Sequence, residues 1–388
     1  MKKIFVVTRA ISFDDGVGGL ERSAYDHIIE MNRIGYLVSL VSPAKKIVGK
    51  TPEYIDFHDV PWPQKGIVSI FGYEYVLWCH RVAKYIESNI PERSVLHFHG
   101  AAVGAIYFIS KNKREKYKTV ANPHGMEEFT SGKLKSEINR FFIRWLSQKA
   151  KYANMIIATD KLLIDKVKKN INVTDEQVLL IPNGVNILRL TSLVNRDYIK
   201  KIKASGNFII LSLGRIEFNK GYDLLAKAIS ELKSELNSSK KIKWVHLGRG
   251  SRKNEIESII SSSRCDYEII EYATDEEVNS YLSICDIFVQ PSRFEGSSLT
   301  TLEAMAHGCI VVGTKVGGIP NKIINNETGF LTENVDSESI KKTLKKVMEL
   351  DNIIDIKDAA KAFVEDNFDV SKLAIKYDNL YSELNRGA

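Results

Sequence analysis

Cysteine is scarce in this 388-residue chain, and the four that occur, Cys79, Cys265, Cys285 and Cys309, stand far apart with no C-x-x-C pair. Neither a disulfide framework nor a structural zinc site is indicated, and a reducing compartment is expected. Long apolar runs are absent too. Lys2 and Lys3 are followed only by Ile4 to Val7 before Thr8 and Arg9, far short of a secretory leader, and nothing approaches the ~20 apolar residues of a membrane span. The protein is therefore expected to stay in the cytoplasm. With 9 prolines, 24 glycines, 44% apolar and 27% charged residues, disorder, collagen-like repeats and heptad fibres are excluded as the main architecture. A soluble globular chain long enough for two domains remains.

The net charge of +7 is unevenly spread: residues 1–190 hold 28 Lys and Arg against 19 Asp and Glu, whereas the remainder holds 27 against 29. Two stretches carry most of this basicity: Lys111 to Lys118, and Lys133 to Lys151, where Leu134, Ile138, Phe141, Phe142, Trp145 and Leu146 alternate with Lys135, Arg140, Arg144 and Lys149. The second reads as an amphipathic helix. It either packs its apolar stripe on a core or presents a basic and aromatic face to an anionic lipid surface. A nucleic-acid partner is not expected, since no helix-turn-helix, RNP-type or zinc-finger pattern accompanies the charge.

Strand-like runs alternate with amphipathic segments, which predicts an α/β architecture with parallel sheets. Strands are expected at Ile4–Val7, Tyr36–Val41, Val95–His97, Thr119–Ala121, Met155–Ala158 and Val178–Ile181, with a helix from about Glu21 to Ile34. From Asn183 to about Gly206 the sequence turns polar and irregular, as an interdomain connection would. A second series follows at Phe208–Leu213, Lys243–Leu247, Tyr267–Ile270, Ile287–Gln290 and Cys309–Gly313, with a capping box at Thr274 and Glu277. Two consecutive doubly wound domains result, residues 1–185 and 186–369, the last helical segment (370–388) being assigned to the first.

In such sheets ligands bind at the strand-to-helix turns. Gly214 to Gly221 places Arg215 and Lys220 directly before a helix N-terminus, which suits a phosphate or diphosphate; a solvated basic loop is the plainer alternative. Pro291 to Ala306 carries Glu295 on the loop and Glu303 in the helix, with Ser297 or Ser298 as N-cap and Gly296 permitting close backbone approach. Two acids beside an anion site would address sugar hydroxyls rather than phosphate. Lys315 to Pro320 supplies a third, glycine-lined turn at Gly317 and Gly318.

These residues resemble glycosyltransferase family 4, retaining enzymes of the two-Rossmann GT-B fold. The resemblance rests on the G-R-x4-K-G turn, the E-x7-E element from Glu295 to Glu303 and Gly317-Gly318; it extends more loosely to Gly18-Gly19-Leu20-Glu21, His97-Phe98-His99-Gly100, Pro123-His124-Gly125 and Ile181 to Val185. It implies two domains facing each other across a cleft. It also implies that Arg215 and Lys220 hold the diphosphate of a nucleotide-sugar donor, that Glu303 binds the ribose and that Glu295 binds the transferred sugar. Gly296, Ser297, Ser298 and Leu299 would hold phosphate and sugar groups through the backbone. Gly18 and Gly19 would let the first loop approach, and His124 would be the active-site histidine. His99 is matched less specifically, as an acceptor-side or a core residue. Ser297-Ser298 and Asn321 depart from the family's usual residues and touch on donor identity.

The implied activity is transfer of a hexose or N-acetylhexosamine, UDP being the expected nucleotide, to a hydroxyl of a glycan or lipid-linked acceptor in bacterial surface polysaccharide assembly. Asp-x-Asp does not occur in the chain, so no metal and no other cofactor is expected, and attachment to the inner face of the cell membrane would run through 133–151. Competing readings are an epimerase of the same fold, a non-catalytic sugar-nucleotide sensor or subunit, and a nicotinamide dehydrogenase, the last weakened by the lack of a full G-x-G-x-x-G.

Overall fold

The computed structural model describes residues 2–14, 19–64, 72–126, 129, 140–203, 206–235, 241–263 and 265–386. The chain divides into two compact units, residues 1–183 with 370–388, and residues 184–369.

The first unit is built on a seven-stranded sheet. Its strands are β1 (Lys3–Val7), β3 (Leu37–Ser42), β5 (Asp56–Asp59), β6 (Val95–His99), β7 (Lys118–Asn122), β8 (Met155–Ala158) and β9 (Val178–Leu180), in the order β5-β3-β1-β6-β7-β8-β9, all parallel. β2 (Ile11–Ser12) and β4 (Ile47–Val48) form a separate short pair. A strand's side chains alternate between faces, so a sheet covered on both sides needs apolar residues at every position. β1 shows this directly: Phe5 and Val7 join the core that contains Trp78 and Phe98, while Ile4 and Val6 join the one that contains Ile28 and Leu40. β5 was not legible in the sequence. It is an edge strand reading Asp-Phe-His-Asp, and edge strands carry charge instead of an apolar run.

The second core is closed by the helix Val370–Arg386. Leu373, Ala374, Tyr377, Leu380 and Tyr381 repeat at helical spacing, are buried, and pack with Ala24, Ile28 and Met31 of the helix Gly19–Arg33. Asp378 accepts hydrogen bonds from Tyr36 (2.7 Å) and from Lys2 (2.5 Å), which fixes the helix against β1 and β3.

The expected helix over 133–151 falls partly outside the described residues, 133–139 among them. The described part is an α-helix at Phe141–Ser147 followed by a 3-10 turn at Gln148–Tyr152. Leu146 and Ala150 reach the core, but Phe141 stays 60% exposed.

The second unit contains β10 (Phe208–Leu213), β11 (Ile242–Leu247), β12 (Asp266–Ile270), β13 (Ile287–Gln290), β14 (Ile310–Gly313) and β15 (Phe330–Leu331), in the parallel order β12-β11-β10-β13-β14-β15. The same alternation holds, with Leu211, Val245 and Phe288 on one face and Ile210, Trp244 and Val289 on the other. The stretch after Asn183 is not irregular, as its polarity suggested, but folds into helices at Ile187–Ser192 and Arg196–Lys203. Asn186 caps the first through the amide of Arg189 (3.0 Å), and Asn195 accepts from the amides of Asp197 and Tyr198 (both 3.0 Å). Ile187, Leu190, Tyr198 and Ile202 go to the core, while Leu188 stays 82% exposed. The capping box forms as read: Thr274 accepts from Glu277 N, and the Glu277 carboxylate accepts from Thr274 N at 2.8 Å.

Leu380→Ala is expected to destabilise the first unit by about 2–5 kcal/mol, as for other buried leucines. Ile375→Ala, at a position of the same helix that is 57% exposed, should leave the urea midpoint nearly unchanged. Equal effects would show that the helix does not bury the stripe described.

Candidate active site

Adjacent parallel strands end side by side, so the turns after β10, β11, β13 and β14 form one cluster at the carboxyl edge of the second sheet. His246 on β11 anchors the first of them. Trp244 donates to Ser212 Oγ (2.9 Å), Ser212 lies 2.8 Å from His246 Nδ1, and His246 Nε2 lies 3.0 Å from the Gly214 carbonyl oxygen. Burial holds this imidazole down to about 4, partly offset by the Gly214 carbonyl. It is therefore neutral, with Nε2–H donating to Gly214 and Nδ1 accepting from Ser212.

Two glycines let the turns dock. A Cβ on Gly221 (φ +70°) would lie 2.0 Å from the Pro291 carbonyl oxygen, and one on Gly317 (φ +53°) would lie 1.8 Å from the Glu295 carbonyl oxygen. Both distances are impossible for a side chain, so glycine is required on conformation and on space alike. The amides of Arg293 and Phe294 donate to Asn219 O (2.8 and 3.1 Å), and Gly318 N donates to Gly296 O (2.8 Å).

This docking brings Lys220 onto Glu295. The ammonium donates to Oε2 at 2.8 Å and to Oε1 at 3.1 Å. Oε2 also accepts from Ser292 Oγ (2.9 Å) and Gln290 Nε2 (3.3 Å), while Gln290 Oε1 accepts from Thr300 Oγ1 (2.9 Å). The carboxylate is thus held on one oxygen, and Oε1 retains capacity for a further donor.

Arg215 is exposed, and among the described residues its guanidinium makes no hydrogen bond. Arg293 instead grips Asp223 with two bonds (2.7 and 2.6 Å), aided by Arg252, and stacks on Phe218. Burial alone would raise the Asp223 carboxyl; the two arginines bring it below its usual value.

Ser298 stands at the N-cap of the helix Leu299–Ala306, yet its hydroxyl bonds Thr301 Oγ1 (2.9 Å) and not a backbone amide. The first amides of that helix, from Leu299 on, have no carbonyl within the helix to reach. Glu303 lies partly buried in its second turn. Lys322, only 3% exposed, donates to Ser297 Oγ and to Ser298 O, both at 3.1 Å. Lys322, Gln290, Ser292 and Arg293 were all missed in the sequence. A lysine between Ile319 and Ile323, and polar residues ending an apolar strand, were the available signals.

The first unit carries its own polar centre. Gly18 lies outside the described residues, and Gly19 opens the helix Gly19–Arg33. His124 follows β7 in a turn where both it (φ +59°) and Met126 (φ +49°) adopt left-handed backbone, a strained geometry of the kind kept at functional sites. His99 ends β6 and is 1% exposed, with Nδ1 3.0 Å from His124 Nε2.

Comparison with known proteins decides what this cluster belongs to. Residues 17–189 match the family described as Glycosyltransferase Family 4, and residues 195–365 the one described as Glycosyl transferases group 1. The chain belongs to glycosyltransferase family 4.

Over 255 residues this glycosyltransferase is 27% identical to the N-acetylgalactosamine-N,N'-diacetylbacillosaminyl-diphospho-undecaprenol 4-alpha-N-acetylgalactosaminyltransferase of Campylobacter jejuni. That match covers 64% of this chain and 66% of that protein. Its fold is similar to sucrose-phosphate synthase from Thermosynechococcus elongatus (TM-score 0.79, 15% identity, 100% of both chains). It is also similar to Anabaena HepE in complex with UDP and glucose (TM-score 0.71, 16% identity, 99% of this chain and 100% of that one). These likenesses establish the GT-B fold. No described helix of the family member is long and apolar enough to cross a membrane.

The first unit also buries four histidines, His27, His97, His99 and His124. Burial, with the charge of His124, takes His27 down to about 3, and burial takes His124 to about 4; His97 and His99 lie well below the usual range for the same reason and through one another. Each is neutral when folded and binds a proton near pH 6.5 when unfolded. Stability is therefore fully present above about pH 6.5 and is lost as pH falls toward 4 and then 3, by roughly 1.4 kcal/mol per pH unit for each such histidine. The urea midpoint should drop steadily from pH 7 to pH 5; a flat profile would mean that these imidazoles take up protons in the native state as readily as in the unfolded one.

Proposed function

We propose that the enzyme transfers a hexose or N-acetylhexosamine, with retention, from a nucleotide-diphosphate sugar to a hydroxyl of a glycan or lipid-linked acceptor in bacterial surface polysaccharide assembly. The observation that carries the reading is the Lys220–Glu295 pair, held between two turns beside a helix start. An ammonium, the exposed Arg215 and free helix amides suit a diphosphate, and Glu295 Oε1 suits a sugar hydroxyl. UDP is the favoured nucleotide, in line with the HepE structures that hold UDP or UDP-glucose. A lipid-linked acceptor accords with the undecaprenol diphosphate in the Campylobacter enzyme's name.

In the proposed step the acceptor hydroxyl approaches the anomeric carbon on the face from which the diphosphate departs. The bond from that carbon to the phosphate oxygen breaks, and the leaving oxygen takes the acceptor's proton. Charge growing on the diphosphate is met by fixed groups, Lys220, Arg215 and the amides from Gly296 to Leu299, so no metal is called for. Glu303 holds the ribose, and His124 meets the sugar.

Calorimetric titration with UDP, GDP, ADP and CMP, with and without chelator, tests the donor site. Binding of UDP that is insensitive to chelator and lost in Lys220→Ala is expected. In transfer assays Lys220→Ala and Glu295→Gln should each lower kcat by about 10²–10³-fold, Glu295→Gln keeping its nucleotide affinity. Near-normal turnover in either variant would refute the role given to that residue.

Attachment to an anionic membrane is proposed through the surface around Phe141 and Arg144. Lys149 there lies 4.6 and 4.3 Å from the ring centres of Tyr107 and Trp145, and Arg114 lies 4.6 Å from that of Tyr152. Flotation with anionic liposomes should be strong at low salt and fall with added salt; no flotation at low salt would remove the claim.

A further inference from the structure

Four buried histidines and a tyrosine of the first unit form one hydrogen-bonded chain. Starting from the turn after β7, His124 Nε2 lies 3.0 Å from His99 Nδ1, and His99 Nε2 lies 3.3 Å from His27 Nδ1. His27 Nε2 lies 2.8 Å from Tyr381 Oη, which in turn lies 2.5 Å from His97 Nδ1. Tyr381 comes from the helix Val370–Arg386 and His27 from the helix Gly19–Arg33. Two ring nitrogens, His97 Nε2 and His124 Nδ1, are buried without a hydrogen-bond partner among the described residues.

Each imidazole is neutral and carries one N–H. Burial raises the Tyr381 phenol well above its usual range, so it keeps its single proton. With one proton per member, the chain has only two self-consistent directions. If Tyr381 donates to His97, each hydrogen bond runs from His124 toward Tyr381. An N–H is then left at His97 Nε2, in a side chain that is 0% exposed, and a bare lone pair at His124 Nδ1. If Tyr381 donates to His27, each bond runs the other way. His97 Nε2 is then a lone pair in the core, and the unmatched N–H sits at His124 Nδ1, in the strained turn. An unmatched buried N–H is the costlier and rarer defect. Both directions leave one such N–H, and the second places it on His124, which is 6% exposed at a turn where a bound ligand can accept it, instead of on His97, which is 0% exposed inside the core.

We propose that Tyr381 and His27 are positioning residues for glycosyl transfer: through His99 they fix His124 as an Nδ1–H donor toward an oxygen of the transferred sugar. The assignment rests on the reading above that His124 meets the donor sugar. The histidines have a second possible use, since His27, His97 and His99 present ring nitrogens within 4.8 Å of one another. The chain is favoured over a cation because it already occupies His27 Nδ1 and His99 Nε2 with each other, and because no carboxylate bonds any of the three among the described residues.

The test is nitrogen NMR of protein labelled at the histidine ring nitrogens, with assignments from single His→Gln variants, read beside steady-state kinetics. In the wild type at pH 7.5, His124 is expected to show a protonated Nδ1 and an unprotonated Nε2. In Tyr381→Phe, which keeps the ring and loses the hydroxyl that orders the chain, His124 should show a mixture of tautomers. Its kcat should fall about 10- to 100-fold, the size of effect that partners fixing a histidine tautomer have elsewhere. The KM for donor and the calorimetric affinity for UDP should stay unchanged, which separates this inference from the donor-site reading. A wild-type spectrum with His124 protonated at Nε2 overturns the proposal even if the variant fails to fold. So does stoichiometric zinc with the facing nitrogens of His27, His97 and His99 all unprotonated. A tautomer change without loss of kcat leaves the chain but overturns its role in transfer.

Discussion

The second unit's site depends on an ion pair made across 75 residues of sequence. Lys220 and Glu295 retain only 20% and 9% side-chain exposure, so water screens them weakly, and bringing them together costs desolvation that a pair of this kind does not reliably recover as stability. What the pair secures is geometry. The carboxylate is pinned by Ser292 and Gln290, Gln290 is pinned by Thr300, and the Glu295 turn is docked on its two neighbouring turns at distances that only glycine at 221 and 317 permits. Under the proposed function a diphosphate arriving beside Lys220 would meet a cation already placed, its ordering done in folding.

The first unit solves the opposite problem. Its polar centre is equally buried, but it contains imidazoles and phenols instead of fixed ions, because burial drives the histidines neutral. A neutral centre cannot attract a diphosphate by charge. It can orient hydrogen bonds, and its direction is set by proton bookkeeping, not by Coulomb forces. The first half's excess of basic residues therefore does not belong to this centre. Lys111, Lys113, Arg140, Lys149 and Lys151 lie at the surface or partly exposed, outside the buried centre.

How much of this could be read from residues alone follows from the range of each signal. Strands buried on both faces are continuous apolar runs, so Ile4–Val7, Phe208–Leu213 and Ile287–Gln290 were legible to within a residue of the observed ends. The edge strand Asp56–Asp59 and the helices between Ile187 and Lys203 were not, since one carries charge at a sheet edge and the others bury only a few residues each. Glu303 in the helix and Glu295 on the loop were placed by spacing. The pairing of Glu295 with Lys220 was not, because nothing local in either turn announces a partner 75 positions away. Lys322 was hidden for a different reason: a lysine is ordinarily read as surface, and its burial is decided by Ser297 and Ser298 on another turn.

The C-terminal helix shows how function can sit in a segment whose sequence looks merely amphipathic. Its stripe from Leu373 to Tyr381 accounts for its packing on the first unit, yet the same periodicity also delivers one hydroxyl between His27 and His97. The helix just before it, Ile353–Phe368, packs Ala360, Val364 and Phe368 in the core shared with Leu302 and Met305 of the helix that bears Glu303. Val185 pairs with Asp369, so the two ends of the second unit lie together. A substitution at Val370, buried in the helix that bears Tyr381, would be classed as structural on burial alone. Its effect on transfer should nevertheless depend on how far it displaces Tyr381, because a hydrogen bond weakens steeply once its donor angle falls below about 120°.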